Sequence, residues 1–381
     1  MLGVGIISSG LRFCNRCGNL ASSYPSGDKI FYYCNVCREL FIEDRWDVLW
    51  PIVRYLNREK LVLEHEIERV KEENPYEFRG DVVDVFERDF YDVYRIEFSY
   101  GYSTAMLKYG DVIVCLKDKT PIGYGVITFS IINSDVVDVY VGFRKDVEID
   151  LREEYVFKYA SEEFLIQKQL ELINELEDDP GRYPNLVKLL NGDGCVSVPS
   201  DYRGDPINTA IKLALALNEG EYFIIHGPPG CGKTQTIAEV AYSLAKKGYR
   251  ILITGHTNIA VDNALERIIR LHSDAASTVC KIGHPVKTLK SIRHLLSDAR
   301  GKSRYDIEPY NIIGATLTMV GILHEMELLR DIKFDYIIVD EASMAMPSLT
   351  LLALRHGKRF ILVGDHKQLP PIVKCKMSER L

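Results

Sequence analysis

With 381 residues, 46% of them hydrophobic, the chain is long enough for two or three domains with apolar cores. Its formal net charge of -7 excludes a uniformly basic nucleic-acid coat. No run approaches the ~18 apolar residues of a membrane span, and nine cysteines, an odd number, suit metal ligands and reduced thiols better than a disulfide framework. The opening MLGVGIISSG lacks the features of a secretory signal, so a soluble, cytoplasmic chain without membrane contact is expected. The charge is uneven. Lys246 to Tyr305 holds twelve Lys or Arg against four Asp or Glu, a candidate polyanion track or simply a solvated face.

In chain order, residues 1–45 carry Cys14, Cys17, Cys34 and Cys37 in a C-x2-C-x16-C-x2-C pattern. Two such knuckles present four thiolates to a tetrahedral Zn2+, and the pattern predicts a zinc ribbon. Arg12, Arg16, Lys29, Phe31, Tyr32 and Tyr33 offer cations and aromatic faces that could stack on bases, or rings that pack the ribbon itself. Residues 46–75 show helical spacing that ends at Pro75 and predict a stalk helix. Residues 76–150 change to short alternating runs such as YRIEFSY, GDVIVCL and SDVVDVYVGF, which predict a small β-barrel. Residues 151–200 return to helical spacing over LREEYVFKYASEEFLIQKQLELINELEDD, then pass into a Pro/Gly-rich linker. Residues 201–381 alternate apolar runs (YFIIH, RILIT, NIIGA, DYIIVD, FILVGD) with helical ones, the pattern of a parallel sheet covered by helices.

The chemistry concentrates in this last segment. Gly227, Pro228, Pro229, Gly230, Cys231, Gly232, Lys233, Thr234 and Gln235 follow a strand-like run and open a helix-like one, with GxxxxGK[ST] satisfied. Such a loop curls its amides around phosphates; Lys233 would bridge the outer phosphates and Thr234 would ligate Mg2+. Asp340 and Glu341 end an apolar run, where Asp340 would hold Mg2+ and Glu341 would polarise the attacking water. Gln368 follows the next apolar strand and could sense the γ-phosphate or orient water.

The set GPPGCGKT, GHTNIAVDN, IIGAT, VDEAS and GDHKQLPP, in that order, resembles superfamily 1 helicases. More narrowly it is similar to the 5′-to-3′ branch that holds the nonsense-mediated-decay helicase and the immunoglobulin-mu-binding-protein helicase. The resemblance implies a RecA-like first motor domain, ATP as cofactor with Mg2+, and an accessory barrel on a helical stalk. It assigns catalysis to Lys233, Asp340, Glu341 and Gln368, and contact with a single strand of DNA or RNA to Thr257, Asn258 and Thr316, which could equally be strand-end caps. Two positions depart from the family pattern: the stretch DYRGDPINTAIKLALALNEG before the phosphate loop holds no glutamine to read adenine, only the amides Asn208 and Asn218, and Met344 stands where a glutamine often follows DEAS. The resemblance also implies a second motor domain beyond QLPP, expected to be truncated, encoded on a separate chain or lost. A nucleotide-gated binding module without translocation is the alternative.

Overall fold

Three antiparallel strands, β1 (Ser22–Ser26), β2 (Lys29–Tyr33) and β3 (Leu40–Asp44), lead into a long helix, α1 (Arg45–Glu73). The computed structural model describes residues 22–26, 29–33, 40–73, 77–88, 91–105, 107–108, 110–198, 204–283, 287–297, 307–329 and 332–371. Cys14, Cys17, Cys34 and Cys37, and with them the zinc expectation, lie outside the described residues.

A closed barrel follows, of β4 (Glu77–Glu87), β5 (Tyr91–Ser99), β6 (Val112–Lys117), β7 (Thr120–Asn133), β8 (Val136–Arg144) and β9 (Glu154–Tyr159), ordered β4-β5-β8-β7-β6-β9, with one turn of helix, α2 (Tyr102–Ala105), after β5. Alternation drives it: Val137, Val139, Val141 and Phe143 of β8 all face the interior. Glycine makes room for the rings there, since a Cβ on Gly80 would meet Phe98 at 2.5 Å. The barrel is borne out, but one expectation inside residues 151–200 is not. Residues 154–159 form a strand, not the start of a helix. Tyr155 and Phe157 point inward, and the segment closes the barrel by pairing with both β4 and β6.

Helix α3 (Ser161–Asp178) then packs along α1, whose Leu56, Leu63 and Val70 form one buried seam at seven-residue spacing. After a 3-10 turn at Pro180–Arg182 come α4 (Pro184–Leu190) and α5 (Pro206–Ala216). The remaining elements are β10 (Tyr222–His226), α6 (Lys233–Ala245), β11 (Ile251–Gly255), α7 (Asn258–Leu271), β12 (Val279–Ile282), β13 (Leu296–Ser297), β14 (Ile312–Gly314), α8 (Leu317–Glu325), β15 (Phe334–Asp340), α9 (Pro347–Leu354) and β16 (Gly357–Gly364). Their strands form one parallel sheet, ordered β10-β16-β15-β11-β14-β12-β13.

Both faces of the central strands of that sheet are covered, which is why they read as unbroken apolar runs, while Ile224 on the edge strand β10 stays exposed. Ile251, Ile253, Tyr336 and Ile338 pack with α5, α6 and α7; Leu252, Ile337 and Val339 pack with α8 and α9. The second core also contains Leu56 and Phe164, so stalk and sheet share one apolar interior. Polar ties reinforce the join: Ser348 Oγ donates to Gln169 Oε1 at 2.8 Å, and Lys168 meets Glu325 at 2.9 Å.

Candidate active site

The sheet register lines up the carboxyl ends of five strands. His226 lies opposite Gly364, Gly255 opposite Asp340, and Ile253 opposite Gly314. Ligands of open parallel sheets bind outside such ends.

Between β10 and α6 the chain makes a glycine-shaped turn. Gly230 and Gly232 have φ of 78° and 95°, which side chains with a Cβ rarely adopt. A Cβ on Gly227 would lie 2.4 Å from Cys231 Sγ. Residues 228 to 232 are exposed, while Lys233, Thr234 and Gln235 are half-buried in the first turn of α6. That helix begins without a side-chain cap, so its positive end is open to an anion. Lys233 Nζ donates to the carbonyls of Gly227 and, at 3.0 Å, Pro228.

Asp340 ends β15 and is only 6% exposed. Burial foremost, helped by the neighbouring Glu341 carboxylate, pushes its carboxyl up to about 6, against the Glu341 amide and the Lys233 ammonium. The Glu341 amide donates to Asp340 Oδ1 at 2.9 Å. Glu341 itself has φ of 53°, an uncommon conformation for a residue with a Cβ, and it turns the chain off the strand. A buried carboxylate whose ionisation is opposed by its surroundings, together with the Thr234 hydroxyl, suits a hard divalent cation such as Mg2+, which would favour the ionised form.

The β16 end adds a carboxylate that the motif reading did not single out. Asp365 Oδ1 accepts the Lys367 amide at 3.0 Å, and its carbonyl accepts the Gln368 amide at 3.0 Å, which fixes the turn that carries Gln368. The Lys367 amide, then His226 and Lys233, hold the Asp365 carboxyl below its usual range. Lys233 thus acts on both Asp340 and Asp365. His226 Nε2 lies 2.7 Å from His366 Nδ1 and 3.5 Å from Asp365 Oδ1, joining the phosphate-loop strand to the Gln368 turn. The available signal for Asp365 was the one used for Asp340: an apolar run ending in aspartate.

The three strand-contact candidates have structural partners. Thr257 caps α7 by accepting the Ala260 amide at 3.1 Å, and Thr316 caps α8 by accepting the Met319 amide at 3.2 Å. Asn258 Oδ1 accepts from Lys281 Nζ at 3.4 Å. Thr257 Oγ1 also donates to Glu341 Oε2 at 3.4 Å, whereas Thr316 keeps its hydroxyl proton to donate. The basic stretch is less basic at the surface than its composition suggests. Lys281 is fully buried against Asp262, Lys246 pairs with Asp274, and Arg270 pairs with Glu266. Asn208 is exposed in the first turn of α5, and Met344 closes the 3-10 turn after Glu341.

Residues 207–309 and 292–376 match the family model described as an AAA domain. The chain is 36% identical over 173 residues to the DNA replication ATP-dependent helicase/nuclease DNA2 of Saccharomyces cerevisiae, covering 44% of this chain and 11% of that protein. This chain carries a P-loop ATPase domain of the superfamily 1 helicase type. The chain is also 26% identical over 268 residues to DNA-binding protein SMUBP-2 of Mus musculus, with 54% of this chain and 26% of that protein covered. To the DNA polymerase alpha-associated DNA helicase A of Schizosaccharomyces pombe it is 29% identical over 228 residues, with 45% of this chain and 33% of that protein covered. The match therefore spans a third or less of each of these relatives. Among the described residues, no helix is long and apolar enough to cross a membrane.

Proposed function

We propose that this chain binds and hydrolyses Mg-ATP as the first motor domain of a 5′-to-3′ helicase acting on single-stranded DNA or RNA. The observation that carries the reading is the meeting of the phosphate loop, Asp340 with Glu341, and the Asp365–Gln368 turn at adjoining strand ends, with Lys233 acting on both aspartates. Lys233 neutralises the outer phosphates, Thr234 and Asp340 hold Mg2+, Glu341 polarises water and Gln368 reports the γ-phosphate. Thr257, Asn258 and Thr316 lie against the strand backbone, with the Thr316 hydroxyl as a free donor, in contacts that position without reading sequence.

Among the described residues the cation acting on both aspartates is Lys233. We therefore assign the transition-state arginine, worth ~10^3 to 10^5 in turnover, to a second motor domain, within a longer chain or on a separate polypeptide. The test is strand-stimulated phosphate release and duplex separation by residues 1–381, with and without a polypeptide carrying that second domain. Alone, the chain should bind Mg-nucleotide, bind single strands with steep salt dependence, and turn over little. Robust unwinding without the partner contradicts the two-wall reading. The second reading is a nucleotide-gated binding module without translocation. That reading requires negligible turnover even with the second domain present.

The proposal extends to the amino-terminal cysteines. Cys14, Cys17, Cys34 and Cys37 would hold about one Zn2+ per chain, measurable by metal analysis. Unchanged zinc in a Cys14→Ser/Cys37→Ser protein sinks that assignment.

A further inference from the structure

A second concave region lies at the amino end of β16, a full strand length from the phosphate loop. This crevice of about 640 Å³ is walled by the end of the barrel at Arg144, the stalk turn at Arg182 and Tyr183, and the sheet-side residues Lys333, Arg355 and His356. Its size falls in the range of small-molecule sites. Its lining carries five cations (Arg144, Arg182, Lys333, Arg355, Lys358) against two carboxylates (Glu325, Glu327).

Several of these charges are already engaged. Arg144 forks onto Asp146 at 2.9 and 3.1 Å, Lys358 lies 3.6 Å from both Glu219 and Asp335, and Glu325 is drawn to Lys168. Glu175, just behind the wall, meets Arg355 at 3.3 Å and Arg182 at 3.4 Å. Lys333 differs: among the described residues its Nζ reaches only the Arg355 carbonyl, at 3.4 Å. Two imidazoles complete the floor. His356 is 4% exposed, and its Nε2 has no hydrogen-bond partner among the described residues; the same holds for Nδ1 of His324, whose ring lies 5.1 Å away. Burial foremost, then the surrounding cations, keep both rings uncharged near neutral pH. Each neutral ring can place its proton on the unpartnered nitrogen and donate it. Buried polar atoms are normally satisfied, and these two unmatched nitrogens belong to rings that line one cationic crevice.

We propose that this crevice binds a small phosphorylated anion. Guanidinium forks and an ammonium around several acceptor oxygens suit phosphate groups. The ligand would touch barrel, stalk and motor sheet at once.

The test uses tripolyphosphate without Mg2+, in a Lys233→Ala background that removes the phosphate loop as a competing acceptor. Calorimetry should show binding, and Arg182→Glu with Lys333→Glu should weaken it by more than about tenfold, as like-charge placement does. Ring resonances of His324 and His356 should move on saturation, a readout that needs no substitution in the crevice. Citrate, a polycarboxylate, should bind less tightly than tripolyphosphate. Absence of binding, equal affinity in the charge-reversed protein, unmoved ring signals, or citrate binding as tightly as tripolyphosphate overturns the proposal.

Discussion

Thr257 Oγ1 stands 3.4 Å from Glu341 Oε2 while the same oxygen accepts the Ala260 amide at 3.1 Å. One hydroxyl thus joins the start of α7, where the strand is proposed to lie, to the carboxylate proposed to polarise water. If both proposed roles hold, this contact links strand binding directly to the group proposed to polarise water.

Replacing Thr257 with Val keeps the shape and removes both contacts. Loss of the cap should lower unfolding free energy by about 1 kcal/mol, read from urea denaturation. Mg-ATP affinity should stay at the parental value, while stimulation of turnover by single strands, measured with a second motor domain supplied, should fall. Unchanged stimulation would show that the Thr257–Glu341 contact is not used.

Lys233→Ala and Glu341→Gln separate binding from chemistry. The first removes the cation in the phosphate loop and should abolish binding of a fluorescent nucleotide. The second keeps Asp340 and the loop, so binding should persist while phosphate release falls to background. Parental binding by both proteins would place the nucleotide elsewhere.

Burial first, then Arg355, lowers His324 from 6.5 to about 4. Between those values the unfolded chain binds more protons than the native one, so stability is highest above pH 6.5 and falls as pH drops toward 4. The loss from this one ring between pH 7 and pH 5 is on the order of 2 kcal/mol, and His356 adds to it with the same sign. His324→Phe should flatten the acid limb of stability against pH. Identical limbs for parent and variant, by denaturant unfolding at pH 7 and pH 5, would refute the assignment.

Lys281 and Asp262 pair at 3.0 Å with side chains 0% and 1% exposed, and Asp262 Oδ2 also accepts the Leu289 amide at 2.8 Å. Lys281→Met would strand a buried carboxylate and should cost about 3–5 kcal/mol. Adding Asp262→Asn should recover part of that loss, since the remaining amide group carries no charge. Thermal unfolding of the two single variants and the double variant measures the coupling; strict additivity would show that the pair does not act as a unit.

Some of this architecture was local and therefore legible. Tyr222–His226 is an apolar run, the glycines after it need a turn that other residues resist, and Lys233 onward has helical spacing, so strand, loop and helix follow from neighbouring residues. The alternation of apolar and helical runs likewise determined a parallel sheet, because strands covered on both faces lose their polar side. Residues 154–159 show the limit. Adjacent helical spacing suggested a helix, yet the segment lies between two open barrel edges, Glu77–Asp81 and Ile113–Leu116, and pairing both edges outweighs local propensity.

What the sequence by itself determined was which residue types were available and the local backbone that carries them. Only the tertiary structure decided their partners. His226 and His366 are 140 positions apart and meet because β10 lies beside β16 in register. Lys281 counted as surface charge by composition, but β12 lies inside the sheet and carries it to Asp262, where burial makes pairing obligatory. The Arg355 and His356 crevice depends on a stalk turn packed against the sheet, a contact set by a shared apolar core and not by any run of neighbouring residues.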